Sequence, residues 1–297
     1  MATLREIRRR IRSVKNISQV TRAMQMVAAA KMQRAQEQTL ATRPYAEKAW
    51  ALLVHLAAQR ATGEPLHPLL QERPVQAVGM LLITADKGLC GGYNHNILRE
   101  AHDYIDRSPH PVRLVVVGRR GRDYMARAGQ QIVAEFCNLP PQPGLMDVTP
   151  ISHVLMEEFL SGAVDRVVVA YTEFVNTLVQ RPVIRPLLPI RYALEAGTVV
   201  SPDDAQALEY IYEPDPRTIL DTVVPRFTEM QVYQAILEAT ASEHSARMVA
   251  MRNATENAMD LLDHLTLAYH RARQAAITRE MLDIASGAEA LKQARRR

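Results

Sequence analysis

Two glycine clusters, each placed after an apolar run, have the composition that could cradle a phosphate: Gly88, Gly91 and Gly92 in DKGLCGGYN, and Gly118 and Gly121 in GRRGRDYM. A phosphate loop aims backbone N–H groups and a helix N-terminus at the anion. That demands GxxxxGK[ST], or GxGxxG with an acidic residue about 20 positions on. Neither cluster has the spacing, so both read as turns at strand ends. Cys90 and Cys137 lie 47 positions apart with no CxxC, which argues against a disulfide framework or a structural zinc site and leaves two buried thiols. His95, His102 and His110 are scattered on polar segments, and there is no HExxH, no GxSxG and no metal-ligand spacing. The sequence holds no catalytic constellation and implies no metal or cofactor.

The remaining chemistry is charge. Residues 1–43 carry ten Lys and Arg against two Glu, a net of +8, whereas residues 226–297 carry +1 and the middle −5. A helix of that charge is solvated, bound to nucleic-acid phosphates, or pressed against an acidic protein surface.

The elements that must present these charges follow from the map of helix breakers. All 17 prolines and 11 of the 12 glycines fall between Pro44 and Pro225. From Arg226 to Ser286 there is neither, which allows a rod on the order of 90 Å that must have something to lie against. Its seam repeats every 3.5 residues through Leu237, Ala241, His244, Met248, Met251, Thr255, Ala258, Leu262, Leu265, Tyr269, Ala272 and Ala276. Such a repeat predicts a left-handed supercoil, with alanines allowing close approach. The N-terminal stretch offers a matching seam: Leu4, Ile7, Ile11 and Val14, then Ile17, Val20, Met24 and Val27. The simplest pairing is intramolecular and antiparallel.

Between the rods, short β-rich runs (75–84, 112–118, 165–172) alternate with helical stretches. Their unbroken apolarity suggests a mainly parallel sheet covered on both faces, with the proline-rich RPVIRPLLPI and EYIYEP as edge strands. The fold class is therefore mixed α/β: a long antiparallel two-helix coiled coil with an inserted Rossmann-like domain. The expected boundaries are 1–60 for the first helix, 74–213 for the α/β domain and 217–291 for the second helix, with 292–297 a basic tail. At 47% hydrophobic and 23% charged, the chain is neither disordered nor fibrous. No run reaches the roughly 20 apolar residues of a membrane span, and the N-terminus lacks a secretory signal, so a soluble or peripheral protein on a bacterial cytoplasmic face is expected.

Five separated segments, in order, resemble the gamma-subunit family of F-type ATP synthases: LREIRRRIRSVKNISQVTRAMQMVAAAKM, ITADKGLCGGYN, YIYEPDP, SARMVAMRNAT and ITREMLDIASGAEAL. In the last, Ile277, Thr278, Glu280, Asp283, Gly287, Ala288 and Ala290 fit that family's C-terminal signature. The resemblance implies a non-catalytic rotor shaft, standing in a hexamer of three alpha and three beta subunits and resting on a membrane ring of c subunits beside epsilon. It also implies a peripheral place on the cytoplasmic side of a bacterial membrane. Through it, Met24, Arg247, Gln274, Thr278 and Glu280 match positions at or near the beta contact region, and Asp86 and Lys87 a segment near the base of the hexamer. The basic helix with Arg8, Arg9 and Arg12 would face acidic levers of beta, and Tyr210, Tyr212 and Glu213 would form the foot on the c ring and epsilon. Gly287 would mark close approach to a neighbour at the top bearing. The chain departs from the pattern in its tail, LKQARRR, and lacks the paired-cysteine insertion of chloroplast members. Two alternatives come from other classes. One is a basic coiled-coil nucleic-acid binder using Arg5, Arg8, Arg9, Arg10, Arg12 and Lys15, and the other a nucleotide-dependent enzyme using the glycine turns.

Overall fold

The computed structural model describes residues 3–58, 67–190 and 216–295. Along the chain these form α1 (Leu4–Ala58), β1 (Val78–Ile83), α2 (Tyr93–Arg107), β2 (Val112–Val117), α3 (Arg119–Arg127), β3 (Ile132–Phe136), α4 (Leu145–Leu160), β4 (Arg166–Phe174), β5 (Gln180–Leu188) and α5 (Pro216–Arg295). Two compact units result: one of Met1–Val27 with Met248–Arg297, the other of Ala28–Arg247.

The larger unit is built on a five-stranded sheet in the order β3-β2-β1-β4-β5. The first four strands run parallel and β5 antiparallel. Alternation along the strands splits the core in two. Leu81, Ile83, Val115, Val117, Val167 and Val169 face α4 and the Leu220–Ala239 stretch of α5, while Met80, Leu82, Leu114, Val116, Val168 and Ala170 face α2 and α3. Each buried Val, Leu or Ile contributes about 1.5–3 kcal/mol. Pro182 and Pro186 sit in β5, an edge strand, where a missing N–H is tolerated. Sequence reasoning passed over β3, of whose five residues four are half-buried and the fifth, Glu135, is exposed, and EYIYEP lies outside the described residues.

In the smaller unit α1 and α5 lie antiparallel. The Arg8 Nη2 donates to the Tyr269 hydroxyl at 2.6 Å, and the Thr21 and Thr255 hydroxyls share a hydrogen bond at 2.7 Å, so thirteen residues along α1 match fourteen along α5. On α5 the seam follows the expected positions, with Met251, Thr255 and Ala258 buried and Leu262, Leu265, Tyr269 and Ala272 half-buried. Ala276 departs from it: this residue and every one from Arg273 to Ala288 is exposed. The register explains why, since Leu4 falls opposite about residue 273 and α1 has nothing further to offer.

The seam of α1 corrects the expectation more sharply. Ile17, Val20 and Val27 are 51%, 58% and 56% exposed. The helix keeps one unbroken four-three repeat, burying or half-burying Leu4, Ile7, Ile11, Val14, Ser18, Thr21, Gln25, Ala28, Met32 and Ala35. Following the apolar side chains from Val14 to Ile17 would have required a three-residue step that rotates the seam off its partner. Small residues at Ser18, Thr21, Ala28 and Ala35 let the backbones approach, and the hydroxyl pair satisfies itself inside. Three large apolar side chains are left outside. Register therefore dominates side-chain hydrophobicity here.

This assignment predicts opposite outcomes at neighbouring positions. Ala28→Leu overpacks a residue that is 2% exposed and should lower unfolding free energy by about 1–3 kcal/mol. Val27→Leu should change it by less than about 0.5 kcal/mol. Urea unfolding of the two variants decides between the registers, and equal effects would refute the one described.

Candidate functional site

The carboxyl rim of the sheet is where a doubly wound fold places a ligand. Its geometry begins with Thr84, just after β1. The Thr84 Oγ1 donates to the Val117 carbonyl at 3.0 Å and accepts from the Gly121 N–H at 2.9 Å. This pulls the β2–α3 turn against the end of β1 so closely that only glycine fits. A Cβ on Gly118, which has φ +94°, would lie 2.2 Å from the Thr84 carbonyl oxygen, and one on Gly121 would lie 2.8 Å from the hydroxyl. The second glycine cluster is thus a packing device.

The N-terminus of α3 could still hold an anion if its amides were free, but each has an internal acceptor. Arg119 N–H donates to Asp86 Oδ1 at 3.0 Å, Arg120 N–H to the Ala85 carbonyl at 3.2 Å, Gly121 N–H to Thr84, and Arg122 N–H to the Gly118 carbonyl at 3.2 Å. Asp86 Oδ2 also accepts from the Asn138 N–H at 3.0 Å, tying β1, α3 and the end of β3 together. The orphan donors of a helix start, which a phosphate would otherwise satisfy, are used by the protein itself. The nucleotide-enzyme alternative has no anion site in this turn.

The first cluster is held from the other side by α5. Tyr93 Oη donates to the Ala239 carbonyl at 3.2 Å, and Arg247 Nη2 to the Gly88 carbonyl at 3.2 Å. Arg247 Nη1 donates to Glu243 Oε1 at 2.6 Å, and the arginine side chain is only 12% exposed. Asn94 Oδ1 accepts from the Ala85 N–H at 3.0 Å, while its Nδ2 donates to Cys90 Sγ at 3.2 Å. Clamped this way, Leu89 takes φ +63° and its side chain stands out, 64% exposed. A non-glycine residue in the left-handed region with an exposed apolar side chain is unusual on both counts.

Burial sets the electrostatics of the clamp. It pushes the Cys90 thiol up, with Arg247 opposing, and raises the Tyr93 hydroxyl well above its ordinary range. Burial also raises the Glu243 carboxyl, again against Arg247. It lowers the His244 imidazole to about 4, helped by the positive charges of Arg247 and Lys31. Cys90 is a buried thiol as expected, whereas Cys137 is only half-buried.

The other residues singled out in the sequence lie mostly on open surface. Arg9 and Arg12 are exposed on α1 and Met24 is half-buried. Arg8 is exposed too but bridges the two helices, bonding the Tyr269 hydroxyl with its guanidinium 5.5 Å above the ring. Gln274, Thr278 and Glu280 are exposed on the part of α5 that has outrun α1. Among the described residues nothing approaches Gly287, where a Cβ would meet open space. Asp86, Gly88 and Arg247 are brought together at the rim, and Lys87 is exposed beside them. Tyr210, Tyr212 and Glu213 lie outside the described residues. Sequence reasoning missed Thr84, Asn94 and Glu243. The first two stand within ITADKGLCGGYN, and their signal was an Asx or hydroxyl residue at each end of a glycine turn. Among the described residues no helix is long and apolar enough to cross a membrane.

The rim yields a pH test. His244 is neutral in the folded state and takes a proton more readily when unfolded, so stability present at pH 7 should fall as pH drops from about 6.5 toward 4. The expected loss is on the order of 3 kcal/mol, partly offset by Glu243, whose raised carboxyl favours the folded state in acid. His244→Gln should flatten the pH 4–6.5 limb of urea midpoints. An unchanged slope would exclude this histidine.

Comparison with known proteins completes the geometry. The family model described as ATP synthase matches residues 3–291. The ATP synthase gamma chain of Dehalococcoides mccartyi is 53% identical over 291 residues, covering 98% of this chain and all of that one. That of Roseiflexus sp. is 49% identical over 295 residues, covering 98% and 99%. Among solved structures, a chain of the Euglena gracilis mitochondrial ATP synthase, in an OSCP/F1/c-ring assembly, aligns with a TM-score of 0.66 at 19% identity, over 97% of this chain and 94% of that one. A chain of the Tetrahymena thermophila mitochondrial ATP synthase central stalk and c-ring aligns at 0.60 and 22% identity, over 79% and 99%. At those identities the two structures share the fold.

Proposed function

The chain belongs to the ATP synthase gamma-chain family, and on that premise we propose that it is the central-stalk rotor of an F-type ATP synthase, without catalytic activity of its own. It couples ion flow through a membrane c ring to ATP synthesis or hydrolysis in a hexamer of alpha and beta subunits, with epsilon beside it, on the cytoplasmic side of a bacterial membrane. The nucleic-acid alternative finds no support in the relatives.

The observation that carries the reading is the apolar surface on the outside of the helix pair and along the stretch of α5 that runs past α1. Ile17, Val20, Met26 and Val27 on α1, and Ile277, Met281, Leu282 and Ile284 on α5, are 45–67% exposed. Large apolar side chains repeated along two helices mark a surface meant to be covered. Interleaved with them are Arg9 and Arg12, which have no carboxylate partner among the described residues. A pair of helices carrying apolar and cationic surface suits a shaft enclosed by acidic, apolar-lined subunits.

Magnitudes favour a distributed contact. An ion crossing about 100 mV releases roughly 2.3 kcal/mol, so several per ATP deliver on the order of 10 kcal/mol. One exposed ion pair supplies about 0.2–1 kcal/mol and cannot bear that alone. Torque is spread over shape and many weak contacts, to which Met24, Gln274, Thr278, Glu280 and the Asp86–Lys87 loop contribute on the hexamer side. Tyr210, Tyr212 and Glu213 serve the c ring and epsilon. Arg247 acts on that contact from inside, by fixing the Gly88–Leu89 loop.

Two experiments test this. Reversing Arg8, Arg9 and Arg12 together should cut coupled ATP hydrolysis in the reconstituted complex, and an unchanged rate would count against the electrostatic part. Met24→Cys, combined with a cysteine introduced in the moving lever of beta, should form a disulfide in the co-expressed complex when an added mild oxidant takes up the two electrons. Absence of that bond, with the complex assembled, would overturn the placement of the shaft.

A further inference from the structure

We propose that the hydroxyl pair of Thr21 and Thr255 is the register lock of the smaller unit, the contact that selects at which heptad α1 settles along α5. The need for one follows from the seam. Both helices repeat four-three without interruption, and the bonds that join them set Ser18 opposite Ala258, Val14 opposite Leu262 and Ile11 opposite Leu265. Slid by one heptad in either direction, Ser18 would face Leu265 or Met251, and Ile11 would face Ala272 or Ala258. Every such layer still sets an apolar side chain against an apolar or small one, so burial alone discriminates weakly between the settings. The exposure of Ile17, Val20 and Val27 shows the same thing from outside, since the adopted register is not the one that hides the most hydrocarbon.

The threonines supply what burial does not. Thr255 is buried and Thr21 half-buried. Thr21 Oγ1 lies 3.1 Å from the Ser18 carbonyl and Thr255 Oγ1 2.8 Å from that of Met251, while the two hydroxyl oxygens are 2.7 Å apart. Each hydroxyl carries one proton, so two protons serve three contacts. If both turned to their own helices, two oxygens with no proton between them would be held in contact. One proton therefore crosses the seam. In a slid register Thr21 would face Leu262 or Met248, and neither can complete that bond. A polar residue at a single seam position fixes register in this way, at a cost in stability relative to an apolar one. Arg8 also bonds across the pair, but through a long side chain at the exposed surface, so the position of the threonines is the stricter constraint.

The register decides where α5 outruns α1. A slide of one heptad would move that point by about 10 Å along the axis. In one direction it would cover Gln274 and Thr278, which now stand exposed, and in the other it would strip the cover from Tyr269. The hydroxyl pair thus determines which side chains the free end of α5 presents. The proposal concerns the two helices of this chain and stands independently of the rotor reading.

The test is a competition between disulfides in the full-length chain. Ser18→Cys, Ala258→Cys and Leu265→Cys together let position 18 link to 258 in the described register or to 265 in a slid one, and Met251→Cys in place of Leu265→Cys reports the opposite slide. Oxidised glutathione takes up the two electrons as each disulfide forms, and peptide mass spectrometry separates these links from any made by Cys90 and Cys137. With both threonines present the link to 258 should dominate. Thr21→Val combined with Thr255→Val should raise the slid links relative to it about fivefold, the population equivalent of one net hydrogen bond. The urea midpoint should stay level or rise, because removing both partners together leaves no unmatched hydroxyl. Thr21→Ser combined with Thr255→Ser keeps the hydroxyls and should keep the original ratio. A valine pair that holds the original ratio or unfolds at lower urea, or a serine pair that slides as far as the valine pair, would overturn the proposal.

Discussion

Everything in this molecule depends on two helices, of 55 and 80 residues, finding enough to lie against. Isolated helices draw little stability from propensity, and a long one persists because a stripe of it is covered. In the larger unit that cover is a sheet, which takes the Leu220–Ala239 stretch of α5 into its core. In the smaller unit the helices have only each other, and the condition for continuous cover is a repeat that never slips. This accounts for a seam that accepts Ser18 and Thr21 while leaving Ile17 and Val20 in water. A rotation of the seam to bury the larger side chains would gain a few methylenes and lose every layer beyond.

The same economy shapes the rim of the sheet. Thr84, Asp86 and Asn94 each bond two or more groups from different segments, so a short stretch after β1 anchors the starts of α2 and α3 and the end of β3. Arg247 closes the arrangement from α5. Removing the Thr84 hydroxyl would leave the buried Gly121 amide unmatched, at about 1–3 kcal/mol. The glycines beside them are there because the backbones approach to distances no side chain survives.

What the sequence made legible was whatever is periodic or punctuated. The absence of breakers at both ends marked the long helices, unbroken apolar runs marked the central parallel strands, and prolines marked the edge strand β5. Identity came from five motifs in order. What stayed hidden depends on choices between competing periods or on long-range contacts. β3 is only five residues long, is interrupted by Glu135 and is nowhere fully buried, and the Ile17 register looked more hydrophobic locally than the one the helix adopts. Arg247 read as a surface residue, because nothing in SARMVAMRNAT reveals a carbonyl 159 residues away waiting for its guanidinium. The exposed residues Gln274, Thr278 and Glu280 have no internal geometry to read, and only resemblance pointed to them.

The satisfied amides of α3 carry a consequence for control. A fold that in other settings senses nucleotides has here spent its recognition donors on its own threonine and aspartate. Swings in cellular energy charge therefore have no handle on the shaft at that turn. Product and substrate find no grip at this turn, which can pass on mechanical force whatever is being made.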